Sequence, residues 1–95
     1  MPDFLTILAI YYSCDLAAQS TFLPPAEAQI CAVAYSRVKA HFLTEEELAA
    51  LAGAPMATRA AGLRDGYLRF KAWETDHPGT VRHLRQAGAL KLIDG

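Results

Sequence analysis

The chain lacks most of the short patterns that announce a chemistry. It has 95 residues, with no GxGxxG and no P-loop, so the common phosphate-cradling loops are absent. No Ser or Cys stands in a recognisable nucleophile motif. Asp65, Glu74 and Asp76 are separate singletons rather than a catalytic pair. A non-enzymatic protein is expected. The 2 cysteines form no CxxC, and His41, His77 and His83 share no ligand spacing with them, so neither a metal nor a cofactor is expected. Charge of one sign is missing too: the formal net charge is −1, which excludes a polybasic nucleic-acid binder over the whole chain. No internal repeat and no low-complexity tract occurs.

Long apolar runs are also lacking. The longest, residues 4–12, is roughly half of what a bilayer span requires. Only Met1-Pro2-Asp3 precedes it, without the positive charge of a secretory signal. Cys14 follows the run as a lipoprotein cysteine would, but Tyr11-Tyr12-Ser13 puts bulky aromatics where such a cleavage site needs Leu and small residues. A soluble, cytoplasmic protein without membrane contact is the expectation.

Strand signals are scarce. No segment alternates apolar and polar residues over strand length, β-branched residues are few, and Ala, Leu, Glu and Arg dominate. The chain therefore reads as all-α, a single domain over residues 1–95, built as a compact bundle of four to five helices with an N-terminal helical hairpin.

What is present divides at Pro24-Pro25, at Gly53 with Pro55, and at Pro78-Gly79. A first helix is predicted over residues 4–18 with Asp3 as its N-cap. A second runs from Pro24-Pro25 to about Phe42, with Ile30, Val33/Ala34 and Val38 as its apolar stripe and Cys31, Tyr35 and Phe42 beside it. Thr44-Glu45-Glu46-Glu47 is a capping box opening a third helix that ends at Gly53. A fourth, from Pro55 to Thr75, carries Met56, Ala60, Leu63, Tyr67 and Phe70 at helical spacing. A short fifth is predicted over residues 78–86, capped by Asp76, with Leu90, Leu92 and Ile93 as an apolar tail beyond Gly88.

The first helix has almost no polar face in its first two turns. Either the other helices wrap it, or another chain covers one face. The second reading makes Phe4, Leu5, Leu8, Tyr11 and Tyr12 candidates for binding a protein partner or a second copy. Cys14 and Cys31 lie equally far from the hairpin turn and so at one height. Buried free thiols, a disulfide or redox pair, and a metal site all remain open for them. The three histidines read as solvated or capping residues, with acid–base use as the sharper option. Trp73 is either a binding anchor or a partly buried core residue.

Charge is unevenly spread. Residues 1–54 hold two basic and six acidic side chains, a balance of −4; residues 55–95 hold seven and four, a balance of +3. The asymmetry points one end of the molecule towards an acidic partner, or reflects a solvated helix face.

Residues 46–64 resemble the helix-turn-helix of repressor-type DNA-binding domains. Leu48, Ala49 and Gly53 stand where that family places an apolar residue, a small residue at the helix crossing and a glycine in the turn. The resemblance implies a following helix that carries Thr58, Arg59 and Arg64 to duplex DNA. It breaks at Arg59 and Gly62, where the family pattern has apolar residues. The expectation is a small helical interaction module (a subunit, adaptor or regulator), oligomeric, with a DNA-binding transcriptional regulator as the alternative.

Overall fold

A computed structural model of the chain describes residues 3–20 and 22–94, the side chains of residues 20 and 88–94 excepted. It has five helices: α1 (Phe4–Ser20), α2 (Pro25–His41), α3 (Glu45–Leu51), α4 (Met56–Asp76) and α5 (Pro78–Asp94). No strand occurs among the described residues.

Local chemistry sets the helix starts. The Thr6 N–H donates to Asp3 Oδ1 at 2.8 Å, capping α1 as the sequence predicts. Pro25 opens α2, where a missing N–H costs nothing. The capping box of α3 is complete: the Glu47 N–H donates to Thr44 Oγ1 at 3.1 Å and the Thr44 N–H to Glu47 Oε1 at 2.9 Å. Gly53, with φ +76°, makes the turn into α4 that a side chain would disfavour. Arg69 of α4 then ties this corner together. Its guanidinium donates to both Glu47 oxygens at 2.8 and 2.9 Å and to the Phe42 carbonyl oxygen at 2.8 Å. That fork, with the Thr44 N–H bond, pulls the Glu47 carboxyl down to about 2.

α1 packs on α2 and α5, and α2 packs on α4, while α4 and α5 barely touch. The fully enclosed core is small: Leu8, Tyr12, Val38 and Phe70, with Phe4, Ile7, Tyr11, Phe42 and Trp73 packed around it. The rings interlock edge to face. Tyr11 meets Tyr12, Tyr35 and Phe70 at centroid distances of 4.9–5.5 Å, and Phe4 stacks on His41 at 3.9 Å.

Four expectations need correction. α5 does not stop at Gln86: it continues through Gly88 to Asp94, so the expected apolar tail is helical. One glycine costs about 1 kcal/mol of helix propensity, and the flanking Ala87, Ala89, Leu90 and Leu92 outweigh it. Asp76 is the last residue of α4 rather than an outside cap. The buried line of α2 is Cys31, Ala34 and Val38, whereas Ile30 is 60% exposed and Val33 46%. On α4 the buried residues are Gly66 and Phe70, and Met56 and Ala60 are exposed. The reason is close approach: a Cβ built on Gly66 would overlap the Lys39 carbonyl oxygen of α2. The α2–α4 crossing is therefore centred on a glycine, which apolar spacing overlooks.

Candidate functional site

The core residue Tyr12 has a hydroxyl that must find a partner once its ring is buried. It donates to Glu74 Oε2 at 2.6 Å. Glu74 comes from the last turns of α4, and its side chain is nine-tenths buried. A carboxylate so placed requires compensation. Lys71, one turn earlier, reaches its other oxygen at 2.6 Å, and an Arg85 nitrogen of α5 lies 3.6 Å from Oε2. The Arg85 guanidinium also sits over the Tyr12 ring, 5.0 Å from its centroid.

These groups line an open cleft of about 900 Å³ where α4 and α5 diverge over α1. Leu16, Pro78 and Val81 give it apolar walls, and Asp15 and Arg82 stand at its margin. Its size falls in the range of small-molecule sites. Burial, and then the bond to Glu74, push the Tyr12 phenol up from its ordinary value, so it stays a protonated donor. Burial likewise pushes Tyr11 up to about 12. No histidine lines the cleft. His77 donates from Nδ1 to the Trp73 carbonyl oxygen at 2.8 Å and stacks on that indole at 4.4 Å; His41 stacks on Phe4; His83 is exposed. The arrangement can hold a ligand by charge and shape.

Cys14 and Cys31 are joined in a disulfide, with Cα atoms 5.7 Å apart. The bond pins α1 to α2 at the height expected from the symmetric spacing about the turn. Beside it is a shallow hollow of about 200 Å³ lined by Ala17, Leu23, Glu27 and Ile30. Among the described residues no group of three or more His, Cys, Asp or Glu could hold a metal ion, and no helix is long and apolar enough to cross a membrane.

The five residues of α1 that the sequence offers to a partner separate in the structure. Leu8 is 0% exposed and Tyr12 3%, both buried against the chain's own helices, with Tyr12 also lining the cleft. Phe4 and Tyr11 are partly buried against the same core. Only Leu5, 47% exposed, faces solvent substantially. The apolar helix packs on α2 and α5, while Leu5, Thr6 and Leu16 remain exposed.

Thr58, Arg59 and Arg64 are all exposed on α4. Arg59 and Arg64 are five residues apart, so they project about 140° from one another around the helix. Ala49, expected at the crossing of α3 and α4, is exposed; the close contact there is Leu51 against Gly62.

Two site features escape the sequence reading. Glu74 reads as an isolated acid, although the hydroxyl of a tyrosine in an otherwise apolar helix signals that a buried acceptor must exist. The exposed stripe Ala26, Ile30, Val33 and Arg37 on α2 reads in part as core. No family model, curated protein or solved structure matches the chain.

Proposed function

We propose that the chain is a non-enzymatic helical interaction module that pairs with a second copy of itself through the outer face of α2. The carrying observation is the stripe Ala26, Ile30, Val33 and Arg37, all exposed at spacings of four, three and four residues. That is the spacing of a helix–helix seam. Ile30 and Val33 are large apolar side chains on the face turned from the core, where a self-contained domain has no use for a contiguous pair.

Charge favours a second copy as the occupant. Glu27 and Arg37 have no ion-pair partner among the described residues. An antiparallel pairing about the midpoint of Ile30 and Val33 brings Glu27 of one copy towards the second copy's Arg37, twice by symmetry. It also sets Val33 of the second copy against the hollow beside the disulfide. We propose the cytoplasm as its compartment; thiols there are mostly kept reduced, so the Cys14–Cys31 bond is expected open there except where a thiol oxidant closes it.

Charge reversal tests the pairing. Glu27→Arg or Arg37→Glu alone should weaken association severalfold in light scattering, and the two together should restore it. Association untouched by either change, or not restored by both, would contradict the seam.

Duplex DNA is the second reading, favoured by the positive φ of Gly53 in the α3–α4 turn. The divergence of Arg59 and Arg64 and the exposed Ala49 weigh against it. Salt-dependent binding of a duplex, abolished by Arg59→Ala with Arg64→Ala, would reinstate it.

A further inference from the structure

The cleft between α1, α4 and α5 has more guanidinium donors than acceptors. Glu74 is already held by the Tyr12 hydroxyl and the Lys71 ammonium, each at 2.6 Å. The 3.6 Å approach of Arg85 to it is an ion pair too long for a hydrogen bond. The Arg85 guanidinium lies over the Tyr12 ring, and its N–H groups have no hydrogen-bond acceptor among the described residues. Arg82, one turn earlier on the same face of α5, has no hydrogen bond or ion pair among the described residues. Two forks thus stand side by side with no hydrogen-bond acceptor among the described residues, Arg85 keeping its long ion pair to Glu74. Among the described residues the only other charge on the cleft is Asp15, which hydrogen-bonds weakly with Gln19 at 3.4 Å.

The surroundings bias the cleft further. Pro78 begins α5, so the positive end of that helix adjoins the same space. Leu16, Val81 and Pro78 offer an apolar wall next to the guanidinium pair. A hydrated inorganic anion would satisfy the arginines and leave that wall idle. A planar carboxylate on an apolar body uses both, since it accepts from a guanidinium fork in bidentate fashion.

We propose that this cleft binds a small organic carboxylate with an apolar body, held at its head by Arg82 and Arg85 and along its body by Leu16, Pro78 and Val81. The site shares no residue with the α2 seam, so it stands or falls separately. Binding leaves the Tyr12–Glu74–Lys71 cluster in place as the floor that keeps Arg85 oriented.

Isothermal titration of the full chain with four probes tests this: octanoate, octylammonium, octanol and acetate. Octanoate should bind at least tenfold more tightly than each of the other three. Arg82→Glu should lose at least tenfold in octanoate affinity. Arg82 is exposed and has no hydrogen bond or ion pair among the described residues, so this variant should keep its thermal midpoint. Arg82→Lys, which keeps the charge and loses the fork, should fall between the two. Equal affinity for octanoate and octylammonium would overturn the proposal. So would acetate binding as tightly as octanoate, which would make it a plain anion site, or full affinity in Arg82→Glu. A shift of Tyr12, Leu16 and Val81 resonances with octanoate, absent with octylammonium, would locate the site independently.

Discussion

The α1–α2 seam and the α4–α5 seam solve the same problem in opposite ways. At α1–α2 a disulfide joins the helices, and the buried line of α2 is made of small or slender residues, Cys31, Ala34 and Val38. At α4–α5 the helices barely touch, and across the gap a buried carboxylate of α4, paired with Lys71 of its own helix, meets Arg85 of α5 only at 3.6 Å. A closed seam hides its own apolar residues and leaves the outer face of its helix free for another use. An open seam keeps polar groups in contact with solvent and with whatever enters. The α2–α4 crossing resembles the first kind, closed by Gly66 instead of a covalent bond.

The predictions probe this contrast in order of size. Phe70 is fully buried among the rings of Tyr11 on α1, Phe42 at the end of α2 and Trp73 on α4. Phe70→Ala should cost about 4 kcal/mol in urea unfolding, because the cavity cannot collapse within interlocked rings. A cost near 1 kcal/mol would mean that the core is looser than described. Replacing both Cys14 and Cys31 by Ser should cost about 3 kcal/mol, the effect expected for a loop of this length. Dithiothreitol should reproduce that loss in the wild type and change nothing in the double variant.

Gly66→Ala sets a gain of about 1 kcal/mol in helix propensity against a forced shift of backbone. Overlap with the Lys39 carbonyl should win, for a net loss of about 1–2 kcal/mol by thermal melting. Gly79→Ala is the control at the open seam, with nothing within 4 Å of its added Cβ. It should lie within about 0.5 kcal/mol of the wild type.

Alkaline pH provides a graded probe of the α1 tyrosines, Tyr12 at the open seam and Tyr11 in the core. The phenols of Tyr11 and Tyr12 are raised in the folded chain, so folding favours the protonated form. Their contribution is fully present below the ordinary tyrosine value near pH 10 and is lost as pH rises past it. Stability should fall by up to about 1.4 kcal/mol per pH unit for each tyrosine between pH 10 and 12. Tyr12→Phe should roughly halve that slope. Glu47 works in the other direction: its lowered carboxyl supports the fold above about pH 4.5, and that support fades as pH falls towards 2.

Much of the helical framework is legible from local signals. Asp3, the Thr44–Glu47 box and Pro25 mark helix starts because each acts within three or four residues. The equal spacing of Cys14 and Cys31 about the turn gives their common height, while their bonding depends on helix phase, which only packing decides. That phase is where reading by hydrophobicity fails. Ile30 and Val33 are larger than Cys31 and Ala34, yet the smaller pair faces the core, because α1 and α4 both press closely on α2. Gly66 contributes nothing to an apolar count and still centres a crossing. The cleft is invisible for a different reason: Tyr12, Glu74 and Arg85 come from three helices, and no local spacing relates them.

The α2 seam is the central claim, and molecular mass tests it most directly. Sedimentation equilibrium at tens of micromolar should give about twice the 10.3 kDa of one chain for the wild type. Ile30→Glu with Val33→Glu should give 10.3 kDa with an unchanged thermal midpoint for the single chain, since both positions are exposed. A wild type that sediments as a single chain across that range, or a double variant that still pairs, would contradict the account.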